Sequence, residues 1–146
     1  MSKSNKRPNF PKATSRRPKY GNRETVICGW KFDSAKEGRR YLYLLDAQKR
    51  GLISDLKRQV RFELVPAVTE EYVVHLKTKD KVKTRTVQLP ITYTCDFQYI
   101  KDGELVVEDV KPSPKILPKE FQLKKKMMLA LKGIKVKMVY DATESI

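Results

Sequence analysis

The sequence predicts a single α/β domain: a mixed sheet flanked by helices, with an extended β-hairpin inserted into it. Three observations predict this. Gln59 to Val65 alternates, with Val60, Phe62 and Leu64 on one side, which is the period of a half-buried strand. Asp102-Gly103 is a two-residue hairpin signal, because both residues tolerate the positive φ of a tight type I′ turn. Two segments, beginning near Ser34 and near Lys119, repeat apolar residues at helical spacing. At 146 residues the chain is long enough for one real core and too short for two of ordinary size.

Residues 1–24 carry eight Lys or Arg, one acid and three prolines with no apolar period, the composition of a basic flexible arm. Lys3, Lys6, Arg7, Lys12, Arg16, Arg17 and Lys19 are its candidate phosphate-binding side chains, although a tail that only maintains solubility has the same composition. The folded domain is expected over 25–141. It opens with an apolar stretch from Thr25 to Phe32. A helix follows that Asp33 or Ser34 can cap, with Ala35, Gly38, Tyr41, Leu42, Leu45 and Leu52 as its stripe and Gly51 as its stop. Beyond Pro66, Val68 to Leu89 reads as two charged strands joined near Thr78–Lys81, a hairpin with a solvated outer face. Ile91 to Tyr99 and Leu105 to Lys111 are the strands on either side of the Asp102-Gly103 turn, and Pro112 and Pro114 end the second. A second helix spans about Lys119 to Lys132, with Phe121, Met128 and Leu131 on one stripe and Gly133 as its stop. Ile134, Val136 and Met138 alternate with lysines in a final strand, and 142–146 read as a polar tail.

Charge narrows the function. Lys and Arg total 32 against 17 Asp and Glu, a net of +15, and such a field attracts polyanions. The most basic segment is punctuated by proline and is not an amphipathic helix, which favours nucleic acid over a membrane surface. A ribosomal-type protein would carry the same charge. A mean hydropathy of −0.59 and the lack of any apolar run of about 18 residues exclude a transmembrane helix. The basic N-terminus has no apolar core of a secretory signal. Cys28 and Cys95 lack the clustering of a zinc site or a disulfide framework, which fits a reducing, cytoplasmic setting.

Counting back from the turn pairs Lys101 with Glu104, and so sets Asp96 opposite Asp109 and Thr94 opposite Lys111. The period of two then puts Asp96, Asp109 and Lys111 on one face. Two facing carboxylates repel each other, and a divalent cation is the obvious compensation. Hard oxygen ligands suit Mg²⁺ or Mn²⁺. A lysine two residues from one carboxylate can hold a water or stabilise charge on a phosphate, so the set has what phosphodiester hydrolysis requires. Two surface aspartates neutralised by lysines fit the same pattern. Glu37 borders the apolar stripe of the first helix, yet Ser34-Ala35-Lys36-Glu37 also matches a capping box, the better reading of Glu37 taken alone. His75 reads as a surface residue and Tyr41 as core. Trp30 and Tyr43 can stack on bases, and Lys124 to Lys126 fit either a phosphate groove or a solvated helix face. Cys95 shares parity with Tyr93 and Phe97 and reads as packing.

FDSAKEGRRY, QVRFEL, YTCDF, a hairpin, EDVK and a lysine-rich helix, in that order over about residues 20–140, resemble the PD-(D/E)XK nuclease superfamily. Within it the resemblance is to small phage endonucleases and Holliday-junction-resolvase-like proteins. The resemblance implies a restriction-endonuclease-like αβββαβ core and a Mg²⁺-dependent endonuclease, with Mn²⁺ as a substitute. It also implies branched or structured DNA as the substrate, a homodimer, and a place in the cytoplasm, the host's if the chain is phage-encoded. Glu37, Asp96, Asp109 and Lys111 would be catalytic. Glu37, Asp96, Asp109 and the backbone carbonyl of Val110 would hold the metal, Lys111 would position the water, and Gln59 and Lys125 would support them. Glu108 would face away. The sequence departs from the family in having Cys95 in place of a proline before Asp96, Asp109 in place of the commoner glutamate, and Pro112 after the lysine. Two other readings stay open. One is a protein that binds nucleic acid without cutting it; the other is a sequence-specific restriction-like or transposition-related nuclease.

Overall fold

The computed structural model of the protein describes residues 24–146, so the basic arm and its seven candidate phosphate ligands lie outside the described residues. A small hairpin of β1 (Thr25–Ile27) and β2 (Trp30–Phe32) precedes α1 (Ala35–Lys49). Next come β3 (Ser54–Val65), the hairpin strands β4 (Val68–His75) and β5 (Asp80–Gln88), and then β6 (Ile91–Lys101) and β7 (Glu104–Val110). The chain closes with α2 (Lys119–Lys132) and β8 (Lys137–Val139). The central sheet has the order β3-β6-β7-β8, antiparallel except for the parallel β7–β8 pair. The described residues thus form an α/β domain with a mixed sheet and two helices.

The two helices cover opposite faces of β7. Val106, Glu108 and Val110 point toward α1, which contributes Leu44 and Ala47 to a core shared with Phe97, Tyr99 and Val139. Val107 points the other way, into a core with Met128 of α2, Leu64, Tyr93, Cys95 and Val136. On β6 the alternation changes phase: Tyr93 and Cys95 belong to the α2 core, whereas Phe97 and Tyr99 belong to the α1 core. The expected common face of Tyr93, Cys95 and Phe97 is therefore split, and Asp96 sits at the change. Across the ladder Arg58 pairs with Phe97 and Val60 with Cys95, and Gln59 between them has φ of 49°. A non-glycine residue in the left-handed region lets a strand re-aim its side chains without a break in register.

α1 buries a different face from the one its apolar residues outline. Arg40, Leu44 and Ala47 are buried on the sheet, while Leu42 and Leu52 stand in solvent. The cause is Arg40. Its guanidinium is fully buried, with Nε donating to Glu108 Oε2 at 2.9 Å and Nη2 to Oε1 at 2.7 Å, so a charged residue occupies a core position. On the other side of the helix, Gly38 lies against the β1–β2 hairpin, where any β-carbon would collide with Ile27. Leu131 of α2 is likewise exposed, contrary to its place on the expected stripe, because only Met128 of α2 is fully buried.

Residues 142–146 are not a free tail. Ala142 is buried, Ile146 packs on the α1 core, and the carbonyls of Ala142 and Glu144 accept hydrogen bonds from Arg40 Nη1. The final strand is shorter than the alternation from Ile134 suggests: Val136 is buried, but the ladder begins only at Lys137.

Candidate active site

The Asp102-Gly103 turn has φ of 51° and 81°, and the register counted from it holds from Lys101↔Glu104 to Phe97↔Glu108. The next step of that register is Asp96 opposite Asp109. There the ladder to β6 ends, while on its other edge β7 stays paired with β8 through Val110. The side chain of Asp96 takes over the lost partner: its Oδ2 accepts the Val110 N–H at 2.7 Å. A carboxylate that satisfies a backbone N–H in this way is fixed in direction, with Oδ1 left to face the site. Gln59 Nε2 approaches that oxygen at 3.4 Å.

Asp109 is buried and is held from both sides. Tyr93, from the α2 core, donates its hydroxyl to Oδ2 at 2.8 Å, and Lys111 Nζ forms an ion pair with Oδ1. Oδ1 is buried and makes no well-aligned hydrogen bond, so the ammonium is its neighbour without saturating it. Lys111 also lies over the Phe121 ring, 4.4 Å from its centroid, which anchors the ammonium between an acid and an aromatic face of α2.

Glu37 enters from the first turn of α1. Its N–H is accepted by Ser34 Oγ at 3.2 Å, and that hydroxyl reaches Glu37 Oε1 at 3.0 Å, so the cap and the side chain are coupled. Burial raises the Glu37 carboxyl above its ordinary range, against the opposing effects of Ser34 and, more weakly, Lys111. Asp96 is pushed up to about 7, first by burial, then by the charge of Asp109, then by that of Glu37, with the Val110 hydrogen bond and Lys111 acting the other way. Asp96 thus senses both other acids and the lysine, although the four residues come from three elements.

Among the described residues no group of three or more His, Cys, Asp or Glu side chains stands close enough together to hold a metal ion as placed. The donor chemistry nonetheless fits a hard divalent cation. Asp109 Oδ1 lacks a hydrogen bond, Asp96 Oδ1 has only a long one, and the charges of Asp109 and Glu37 raise the affinity of Asp96 for positive charge. Lys111 supplies part of that charge.

The structure also brings in residues that the sequence did not single out. Tyr93 was read only as packing, yet its hydroxyl positions Asp109. Lys36 Nζ donates to the carbonyls of Lys111, Pro112 and Tyr140, the last at 2.8 Å, and so ties the end of β7 and the end of β8 to α1. Glu108 faces away from the site, paired with Arg40 and with the Tyr99 hydroxyl at 2.6 Å. A lysine beside the first-helix glutamate and a tyrosine three residues before Asp96 were the visible signals. Neither identifies its partner without the fold. Lys125 has no hydrogen bond or ion pair to the carboxylates; it lines a cavity of about 280 Å³ with Leu117, Gln122 and Lys135. Cys95 is buried, with its thiol pushed up to about 12 by that burial, which suits packing and not nucleophilic chemistry. His75 is exposed in the β4–β5 hairpin, beside Asp80 at 2.8 Å.

Residues 17–143 match the family described as "Protein of unknown function (DUF1064)", and the chain belongs to that family. No curated protein and no solved structure matches it.

Proposed function

We propose that this DUF1064 chain is a metal-dependent DNA endonuclease with a restriction-endonuclease-like core, acting on branched or otherwise structured DNA. One observation carries the reading. Asp96, Asp109 and Lys111 gather where β6 and β7 part, Glu37 joins them from α1, and Asp96 is pushed up to about 7, first by burial and then by the charges of Asp109 and Glu37. A purely structural ion-pair network would separate like charges, whereas a phosphodiesterase centre needs them together.

In this reading Asp96, Asp109, Glu37 and the Val110 carbonyl would hold Mg²⁺ or Mn²⁺, which when bound supplies positive charge at the scissile phosphate and acidifies water. The protein's own groups do the rest. The Val110 N–H and Tyr93 hydroxyl hold the two aspartates in fixed directions, so little reorganisation is required of them. The Lys111 ammonium, braced by the Phe121 ring, orients a water for in-line attack on phosphorus and offsets charge growing on the phosphate oxygens. Gln59, within reach of Asp96, can order a neighbouring water. The net charge of +15 draws in the polyanion. A homodimer would place two such centres on the two strands of a junction.

The test is a panel of linear, nicked, flap and four-way-junction DNA incubated with Mg²⁺, Mn²⁺ or chelator, using the wild type and Asp109→Asn. Retained binding with lost cleavage in the variant supports the reading. A wild type that cuts no member of the panel with either metal overturns it.

A further inference from the structure

The β4–β5 hairpin has no place in the chemistry above, and its make-up calls for a role. It forms a two-stranded sheet of its own, and every described side chain of β5 is exposed. An isolated two-stranded ribbon is marginal in water and gains from a partner. The register sorts its charges. Tyr72 pairs with Lys83, Val74 with Lys81 and Glu70 with Arg85, so Lys81, Lys83 and Arg85 lie in a row on one face. The opposite face holds the pairs Glu71–Thr84, Val73–Val82 and His75–Asp80, with two acids and no Lys or Arg. The tip loop, residues 76–79, adds Lys77 and Lys79.

We propose that this hairpin is a DNA-binding arm that lays its Lys81–Lys83–Arg85 row along the phosphates of one strand of a duplex segment next to the cleavage site; the proposal rests on the nuclease reading for the identity of the polyanion. Same-face side chains on a strand recur about every 6.8 Å, close to the separation of neighbouring phosphates measured along one DNA strand, which exceeds the axial rise of about 3.4 Å because the backbone winds around the helix. The row is therefore spaced to meet consecutive phosphates of that strand. An eight-residue arm reaches about 26 Å, and Asp96 lies about 17 Å along β6 from the arm's base at Ile91. Taken end to end the two distances span at most about 43 Å, little more than one helical turn of about 34 Å, so one bound duplex can meet the carboxylates and the arm together. Arg85 is already oriented, paired with Glu70 and stacked over Tyr72 at 5.6 Å.

The experiment compares two variants of equal charge change in the full chain. One is Lys81→Gln with Lys83→Gln and Arg85→Gln; the other is Thr69→Glu with Thr84→Glu and Thr86→Glu on the acidic face. Binding to a labelled duplex of about three helical turns is measured across a salt series in chelator, and single-turnover cleavage is measured at saturating protein with Mg²⁺. The basic-row variant should bind about tenfold or more weakly at about 0.1 M salt, and its slope of log K against log salt should shrink by about 2.7, roughly 0.9 per lost phosphate contact. Its saturated cleavage rate should match the wild type. The acidic-face variant should keep the wild-type slope. An unchanged slope in the basic-row variant, or equal losses in both variants, overturns the arm and leaves the nuclease reading standing. If no protein cuts, the nuclease reading falls while the arm is still decided by the slopes.

Discussion

Replacing Asp96 with asparagine should make the domain more stable above neutral pH while abolishing the proposed activity. Asp96 is raised from its ordinary 3.8 to about 7, burial being the first cause and the charges of Asp109 and Glu37 the next. A folded-state pKa above the unfolded one means that the folded chain holds the proton more tightly. The associated stability is fully present below about pH 4 and is lost as the pH rises through about 7. The full span corresponds to roughly 4 kcal/mol between the two protonation states. Asparagine carries no charge and keeps an oxygen for the Val110 N–H, but it sets an amide N–H₂ toward Gln59. We therefore expect about half the span, ~2 kcal/mol, as net stabilisation at about pH 8 and close to none at about pH 4. For a domain of this size that is a rise of about 6 °C in Tm. Urea unfolding of both proteins in chelator, from pH 4 to 8, reads the difference directly, because titrations common to both proteins cancel. Adding Mg²⁺ at about a hundred times its Kd should then stabilise the wild type by about 2.7 kcal/mol and the variant far less. The reasoning fails if Asp96→Asn is no more stable than the wild type at pH 8, or if its advantage is the same at both ends of the range.

Three further outcomes follow from the same contacts. Arg40→Leu leaves Glu108 buried with only the Tyr99 hydroxyl and the more distant Lys137 ammonium beside it and should cost about 3–5 kcal/mol in denaturant unfolding, while Arg40→Met combined with Glu108→Leu should recover most of that loss. Tyr93→Phe removes the hydroxyl from Asp109 Oδ2; we expect about 1–2 kcal/mol lower stability and slower single-turnover cleavage with DNA affinity unchanged. Lys111→Met should lower the cleavage rate by about a hundredfold or more while leaving binding to a junction in chelator within about twofold, as measured by rapid quench and by anisotropy.

What could be read from the sequence was what is fixed locally. The Asp102-Gly103 turn sets its own backbone, so pairings from Lys101↔Glu104 to Phe97↔Glu108 could be counted from it, and Asp96 and Asp109 were found together. The Ser34 cap, the Gly133 stop and the charged hairpin are also short-range features. The buried face of α1 was missed because Arg40 becomes a core residue only through an acid 68 positions away. The change of phase at Asp96 was missed because Gln59 carries no glycine-like mark of its positive φ. Tyr93 and Lys36 act through partners 16 and 75 or more positions distant, and periodicity says nothing about hydrogen bonds of that kind.

The Arg40 guanidinium closes its coordination with carbonyls 102 and 104 residues farther along the chain. Until those carbonyls arrive, α1 presents a charge on the surface that must become its interior, and the helix cannot seat on the sheet without leaving that charge partly unmet. The strand that carries Asp109 is the one Glu108 pins to α1, so the register of the carboxylates and the last-joined segment are secured in the same event. Assembly of the carboxylate cluster should therefore be a late step in folding, and a chain stalled short of residue 142 would present its acids loosely.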